Sequence, residues 1–358
     1  MKLIIWGTGE AAKNFLGQEC MYAEDDIVAF TDNNSRLWGK IFNGVPIIPP
    51  MEISSTVYDK ILICASAEKE IKKQMLDEIH IRAENITSYA EILNRLAKRI
   101  IKKYRDSEDK EIQHILHYYS MNGFNIFGTY NANPKNVYKI FRDKDNMPYL
   151  RWDNKAIYFP YNYKFYRLDG QEIFYDLFGE QGKDSPHMYM KEGFHIDYGD
   201  VMVDAGTCEG NFAIQFIDKV KKLYLIEPNP EWIKALRRTF KDYEDKVVFC
   251  DKFLSNYNSQ STITLDNLIQ EEINFLKMDI EGAEIQALLG GKEILKNSNA
   301  FCSICSYHRQ NDESNIKFLL EAMGYRTSVS NGFMFFPFDS AIKDTMDFRR
   351  GIVYGEKS

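Results

Sequence analysis

The sequence predicts an α/β fold, because two separate stretches begin with the same series of events. Lys2–Trp6 is a short apolar run, followed by Gly7-Thr8-Gly9 and a helical pattern over 11–19. Val201-Met202-Val203-Asp204 is another, followed by a turn holding Gly206 and Gly210 and a helical pattern over 212–220. Strand, glycine turn and helix are how such a fold offers backbone N–H groups to a ligand. The third observation is the alternation of buried-strand and helical patterns from 199 onward, which is that of a mostly parallel sheet.

Taken in order, residues 1–88 form an N-terminal Rossmann-like domain. Strand 2–6 and the G-x-G-x-x-A turn are followed by strand 27–30, which leads to Asp32, 23 residues past Gly9. Strand 60–65 and an amphipathic helix over 68–79 complete half of a doubly wound sheet. The FTDNN…WGKIFNGVPII segment over 30–48 resembles small N-terminal domains of polysaccharide-biosynthesis proteins. That resemblance implies a nucleotide-sugar at Gly7, Gly9 and Asp32; a domain kept only for packing or self-association is the competing reading.

Residues 89–122 read as a helical connector. Ile92, Leu96 and Ile100 recur at helical spacing, a charged break follows at 105–110, and Ile112, Ile115, Leu116 and Tyr119 continue the pattern. His114 and His117 share a helical face without a third ligand, so no metal is expected there. Residues 123–184 are aromatic and turn-rich, with short antiparallel strands expected at 137–141, 149–152 and 156–159. Trp152, Tyr158, Tyr161, Tyr163 and Tyr166 are available to stack on a sugar, but at least half of them are expected to be core.

From 185 to 358 the strands are expected at 201–204, 223–226, 246–250, 273–278 and 300–305, with further strands near 325–329, 333–336 and 352–354. Helices fall at 230–240, from about 283, and at 313–323, the last stopped by Gly324. Asp204, Glu227, Asp251, Asp279 and His308 each fall at the carboxyl end of a strand, where ligands bind in such sheets. Glu227 lies 23 residues after Asp204, where an acid would take a ribose diol. The D-x-G-x-x-x-G turn suits a nucleoside without a pyrophosphate better than a dinucleotide.

Four ordered motifs, VDAGTCEGNFA, LIEPNP (225–230), TLDNLI (264–269) and FLKMDIEGAE (275–284), resemble those of FkbM-type methyltransferases that use S-adenosylmethionine. The resemblance covers about 185–358 and implies a class I methyltransferase sheet with a final antiparallel hairpin. It implies that Gly206, Thr207, Glu209, Gly210 and Asn211 surround the methionine portion of the cofactor. Glu227 would hold the ribose and Asp251 the adenine, with Asp204, Pro228, Asn229 and Asp279 also cofactor-binding. Asp279 and Glu281 would stand where methyl group and acceptor meet. Cys208 departs from the pattern, since many relatives carry Gly or Asn there. Ser185-Pro186-His187-Met188-Tyr189 resembles a family segment that passes close to the cofactor pocket.

Methyl transfer from a sulfonium is an in-line displacement, so the protein must align the acceptor and remove a proton. His308, with an ordinary pKa of about 6.5, is the expected general base, and Asp279 the competing one. Paired acids there have the chemistry to hold a divalent metal, but the sequence assigns none. The function so implied is O-methylation of a sugar or a nucleotide-sugar or polysaccharide intermediate. Methylation of an amine or natural-product scaffold, a nucleotide-sugar-binding protein with an inactive methyltransferase domain, and a dinucleotide-dependent oxidoreductase remain alternatives.

Composition narrows the partners. A net charge of −7 lacks the basic surplus of a nucleic-acid binder. No apolar run approaches the ~20 residues of a membrane span, and MKLIIWGTGE is expected to be a strand, not a signal peptide. The six cysteines lie mostly in apolar runs and are expected to be reduced in a cytoplasmic protein. Self-association is compatible with all of this.

Overall fold

A computed structural model describes residues 1–131 and 136–357. The chain forms two units, Met1–Thr129 with Phe335–Asp347, and Tyr130–Met334 with Phe348–Ser358. These boundaries differ from the four segments expected. The connector helices Tyr89–Tyr104 and Lys110–Asn122 pack on each other within the first unit. Their apolar stripes, Ile92, Leu96 and Ile100 on one and Ile115, Leu116 and Tyr119 on the other, are buried, which a free-standing linker would leave in water.

In the first unit the sheet runs Ile41–Phe42, Val45–Ile48, Asp26–Thr31, Lys2–Trp6, Lys60–Ile63, Ile86–Thr87. All pairings are parallel except the first, a hairpin. Ile4, Trp6, Ala29, Ile61, Ile71 and Met75 lie in its core. At Gly7, φ is +116° and a Cβ would stand 2.4 Å from the Cys64 carbonyl oxygen, so this glycine serves strand packing.

In the second unit, an aromatic-rich region precedes the main sheet. It contains two three-stranded antiparallel sheets. The Tyr166–Leu168 and Gln171–Tyr175 hairpin was not expected from the sequence, although Asp169-Gly170 marks it. Both turn residues are left-handed, φ 49° and 81°, as a two-residue hairpin turn requires. Phe159 is fully buried and packs against Tyr163, Phe165, Phe174 and Trp232. Tyr161 and Tyr166 are exposed.

The main sheet has the order Val247–Cys250, Lys222–Ile226, Val201–Ala205, Phe275–Met278, Phe301–Cys305, Ile352–Glu356, Arg326–Val329. Only Ile352–Glu356 is antiparallel to its neighbours. This is the class I methyltransferase arrangement. The strand order reverses between Val201–Ala205 and Phe275–Met278, which opens a crevice at their carboxyl ends. The 201–205 and 275–278 runs are buried throughout, as central parallel strands must be.

Three expected elements differ. The helix after Gly210 is short, Asn211–Ile214. The helix from about 283 is divided into Glu284–Leu289 and Lys292–Asn297 around Gly290-Gly291, where a Cβ on Gly290 would stand 2.1 Å from the Ser255 carbonyl oxygen. No strand forms over 333–336: Met334 makes one isolated bridge to Arg349, and the Phe335 N–H bonds Ile126 O instead of a sheet neighbour. Five cysteines are buried, Cys208 is exposed, and all six are free thiols. No helix among the described residues is long and apolar enough to cross a membrane.

Candidate active site

The loop after Val201–Ala205 is held from below by a buried lysine. Lys277 Nζ stands 3.0 Å from Asp204 Oδ1 and donates to the carbonyls of Ala205 and Gly206 at 3.2 and 2.6 Å. Burial opposes the Lys277 charge, but the carboxylates of Asp204 and Asp279 outweigh it, so its pKa is raised. Asp204 is 1% exposed. It acts as the counter-ion that fixes the loop and does not itself line the cavity described below.

Gly206 has φ +74°, and a Cβ there would sit 1.7 Å from the Asp279 carbonyl oxygen. Its glycine is therefore needed for the close passage of two strand ends. Thr207 Oγ1 donates to Asp204 O at 2.8 Å. Cys208 is left-handed, φ 47°, a conformation that Gly and Asn adopt with least strain. That conformation turns the Cys208 N–H onto Glu227 Oε2 at 3.1 Å. Glu227 Oε1 accepts from the Asn229 N–H, and Asn229 Oδ1 caps the Pro230–Thr239 helix at Glu231 N. At Gly210, φ is +75° and a Cβ would press within 2.9 Å of Leu236 and Phe240. Asn211 Nδ2 donates to Leu177 O at 2.7 Å.

Asp279 is the hub of a buried polar cluster. Its Oδ2 accepts from Tyr189 Oη at 2.8 Å and faces His187 Nε2 at 3.3 Å. Its Oδ1 accepts from Tyr307 Oη at 3.1 Å and faces His308 Nε2 at 3.4 Å. Burial works against the Asp279 anion, but hydrogen bonding and charge from His187, then Lys277 and His308, hold its carboxyl well below the usual range. His187 also faces Glu180 Oε2 at 3.3 Å. Burial disfavours its imidazolium, yet Asp279 and Glu180 raise its pKa to about 9.

His308 is 2% exposed, with Nδ1 at 3.1 Å from Glu284 Oε1. Burial is again outweighed, here by Glu284, Asp279 and Glu281, and the pKa is raised. The ordinary value assumed from sequence for His308 therefore does not hold: the surrounding carboxylates shift it upward. Asp279 is the anion and a weak base for the same reason.

A cavity of about 290 Å³ opens at these strand ends, near the ~300 Å³ lower bound for small-molecule sites. Of the expected residues, Gly206, Thr207, Glu209, Asn211 and Asp279 line it. Glu227, Pro228 and Asn229 do not line it, and Glu227 meets it only through the Cys208 N–H. Asp251 and Glu281 are exposed and outside the cavity, Gly210 is buried and outside it, and His308 is not among the lining side chains. Sequence reasoning missed Lys277, which stands inside the FLKMDIEGAE motif as a charge in an otherwise buried strand. It also gave no role to His187 and Tyr189, whose segment it placed near the pocket, or to Tyr307. The wall facing them, Phe174–Gln181, comes from the aromatic-rich region.

In the first unit, a cavity of about 490 Å³ is lined by Gly7 and Asp32 with Asn33, Glu70, Gln74 and Glu78. Gly9 does not line it, and neither Lys nor Arg is among its lining residues.

The sheet and the acid-anchored glycine loop give the second unit a class I, Rossmann-like fold. More particularly, residues 242–327 match a family model described as the methyltransferase FkbM domain. Residues 1–87 match one described as C2185-like, N-terminal, which carries no reference to polysaccharide biosynthesis. Among solved structures, the chain is similar to a methyltransferase FkbM from Methylobacillus flagellatus KT, at 16% identity, covering 99% of this chain and 89% of that one, with a TM-score of 0.45. A magnesium protoporphyrin IX methyltransferase from Synechocystis PCC 6803 with bound SAM is 14% identical over 45% of this chain and 71% of that one, TM-score 0.32. A Streptococcus mutans methyltransferase described as putative, in complex with SAH, is 13% identical over 46% of this chain and 91% of that one, TM-score 0.33. No curated protein matches.

Proposed function

We propose that the second unit transfers a methyl group from S-adenosylmethionine to a hydroxyl of a sugar or sugar-derived intermediate. The observation that carries the reading is the bond from Cys208 N–H to Glu227 Oε2. It makes one rigid piece of the glycine turn and the acid at the next strand end, the two parts a nucleoside needs. Asn211, Thr207, Glu209 and Gly206 then bound the methionine end, and Glu227 the ribose. The cavity carries Asp176, Glu180, Glu209 and Asp279 against Lys277 and His187, an acidic balance suited to a sulfonium cation.

The acceptor oxygen would approach from the His187–Tyr189–Asp279 side. The donor is already activated by its charge, so alignment is the main task. Asp279 and His308 are assigned to the acceptor end, with His308 acting through Asp279. The first unit's cavity, with acids and no lysine or arginine, is poorly suited to a nucleotide diphosphate. A hydroxyl acceptor is accordingly assigned to the second unit.

Calorimetric titration of the purified chain with S-adenosylmethionine tests this. One site per chain is expected, with neither NAD nor a UDP-sugar competing. Binding of NAD or a UDP-sugar instead would move the function to the first unit.

A further inference from the structure

Beside the acceptor end lies a cluster of donors of which only Asp279 lines the methyl-donor cavity. Ligand atoms of Asp279, Glu284 and His308 all lie within 4.8 Å of one another. Oxygen and nitrogen ligands around one divalent ion stand at about 2.0–2.6 Å from it, so separations of up to roughly 4–5 Å are what such an ion imposes. A fourth carboxylate, Glu281 Oε2, is 3.7 Å from His308 Nε2, and its side chain is 84% exposed.

Two features single this group out from an ordinary ion-pair network. Glu284 is fully buried; its Oε1 takes the Ile280 N–H and faces His308 Nδ1, while its Oε2 is buried without a hydrogen-bond partner. A buried carboxylate oxygen left in that state is costly unless a cation or a bound water meets it. In addition, Glu281 is held in the left-handed region at φ 57°, followed by Gly282 at φ 90°. A non-glycine residue there is strained, and the turn places the Glu281 carboxylate on the exposed side of the imidazole.

We propose that Asp279, Glu284 and His308 form a divalent-cation site, with Glu281 as the ligand through which the ion enters from solvent. Carboxylate oxygens with one imidazole suit Mn²⁺ or Mg²⁺ rather than a thiolate-seeking metal. The proposal rests on the methyltransferase reading of the same site. There the ion binds the acceptor hydroxyl and lowers its pKa, so that its proton leaves to solvent. The oxygen then forms its bond to the methyl carbon while the carbon–sulfur bond breaks and sulfur keeps the electron pair. The acceptors favoured are those that present a hydroxyl with a neighbouring oxygen able to chelate.

The test is a Mn²⁺ titration of the full chain, stripped with EDTA and dialysed, following the free ion by electron paramagnetic resonance. One ion per chain is expected. Glu281→Gln should weaken it by at least the roughly tenfold that loss of even an outer-shell partner costs, and Glu284→Gln more, with circular dichroism confirming that both variants fold. Absence of stoichiometric Mn²⁺ at millimolar concentration overturns the site, as does equal affinity in wild type and both variants. S-adenosylmethionine binding measured in EDTA separates the two ideas: if it persists while Mn²⁺ fails to bind, only the cation site is lost.

Discussion

The backbone N–H of Cys208 donates to Glu227 Oε2 at 3.1 Å, joining a left-handed loop residue to the acid 19 positions on. The acid therefore holds the turn, and in the proposed reading its remaining lone pairs are offered to the ribose.

Glu227→Ala removes both. Cofactor affinity is expected to fall at least tenfold, about 1.4 kcal/mol, while the protein stays folded. Glu227→Gln keeps an acceptor for Cys208 and should lie between the two. Equal dissociation constants for wild type and Glu227→Ala by calorimetry would sink the ribose assignment.

Gly206→Ala places a Cβ 1.7 Å from the Asp279 carbonyl oxygen. Backbone must move, so a loss of roughly 2–4 kcal/mol and a clear drop in Tm are expected. Gly9→Ala is the control, since a Cβ there meets nothing within 4 Å. Two similar melting curves would contradict this account of the turn.

Lys277→Met leaves Asp204 buried and uncompensated. The cost expected is about 3–5 kcal/mol. Adding Asp204→Leu should recover part of it, because two charges are then removed together; a double-mutant cycle in urea reads the coupling. Additive losses would show that the pair does not hold the loop.

His308→Ala should slow turnover while S-adenosylmethionine affinity stays close to that of wild type, because the imidazole reaches the cavity only through Asp279. Single-turnover rates decide it. An unchanged rate removes His308 from the reaction.

Asp312 gives a pH dependence. Burial raises its carboxyl to about 6, against 3.8 ordinarily. A folded pKa above the unfolded one means stability is greatest below about pH 4 for this group and declines as pH rises through 6. Asp312→Asn keeps an acceptor for the Arg309 N–H, so it should raise stability at pH 8 by about 1–3 kcal/mol and change it little at pH 4. A gain of equal size at both pH values would rule out ionisation as the cause.

The sequence made the strand ends legible. Asp204, Glu227 and Asp279 each interrupt an apolar run at the point where a parallel strand leaves the core, and periodicity locates such points. His187 and Tyr189 carry no such signal, because their segment has no regular period and reaches Asp279 only through tertiary packing. Asp169-Gly170 was a readable hairpin signal in a region dense with other turn residues. The expected strand at 333–336 failed because its apolar pattern is satisfied elsewhere: Phe335 is buried, with its N–H on Ile126 O. The pKa of His308 was beyond reach, since it depends on three carboxylates, two of them on the turn and helix that follow another strand.

Side chains tie the cavity wall to the backbone around it. Gln181 Nε2 donates to His187 O, its Oε1 accepts from the Tyr189 N–H, and Asn211 Nδ2 reaches Leu177 O. All three join a side chain to a backbone group, so they constrain the path of the wall and leave the identity of most of its side chains open. Tyr175 is thus exposed surface on a fixed frame, whereas Glu180 is committed to His187. A library randomised at Tyr175 should change which acceptor is accepted while the methyl-donor half keeps its affinity, making this position the natural place to retarget the protein.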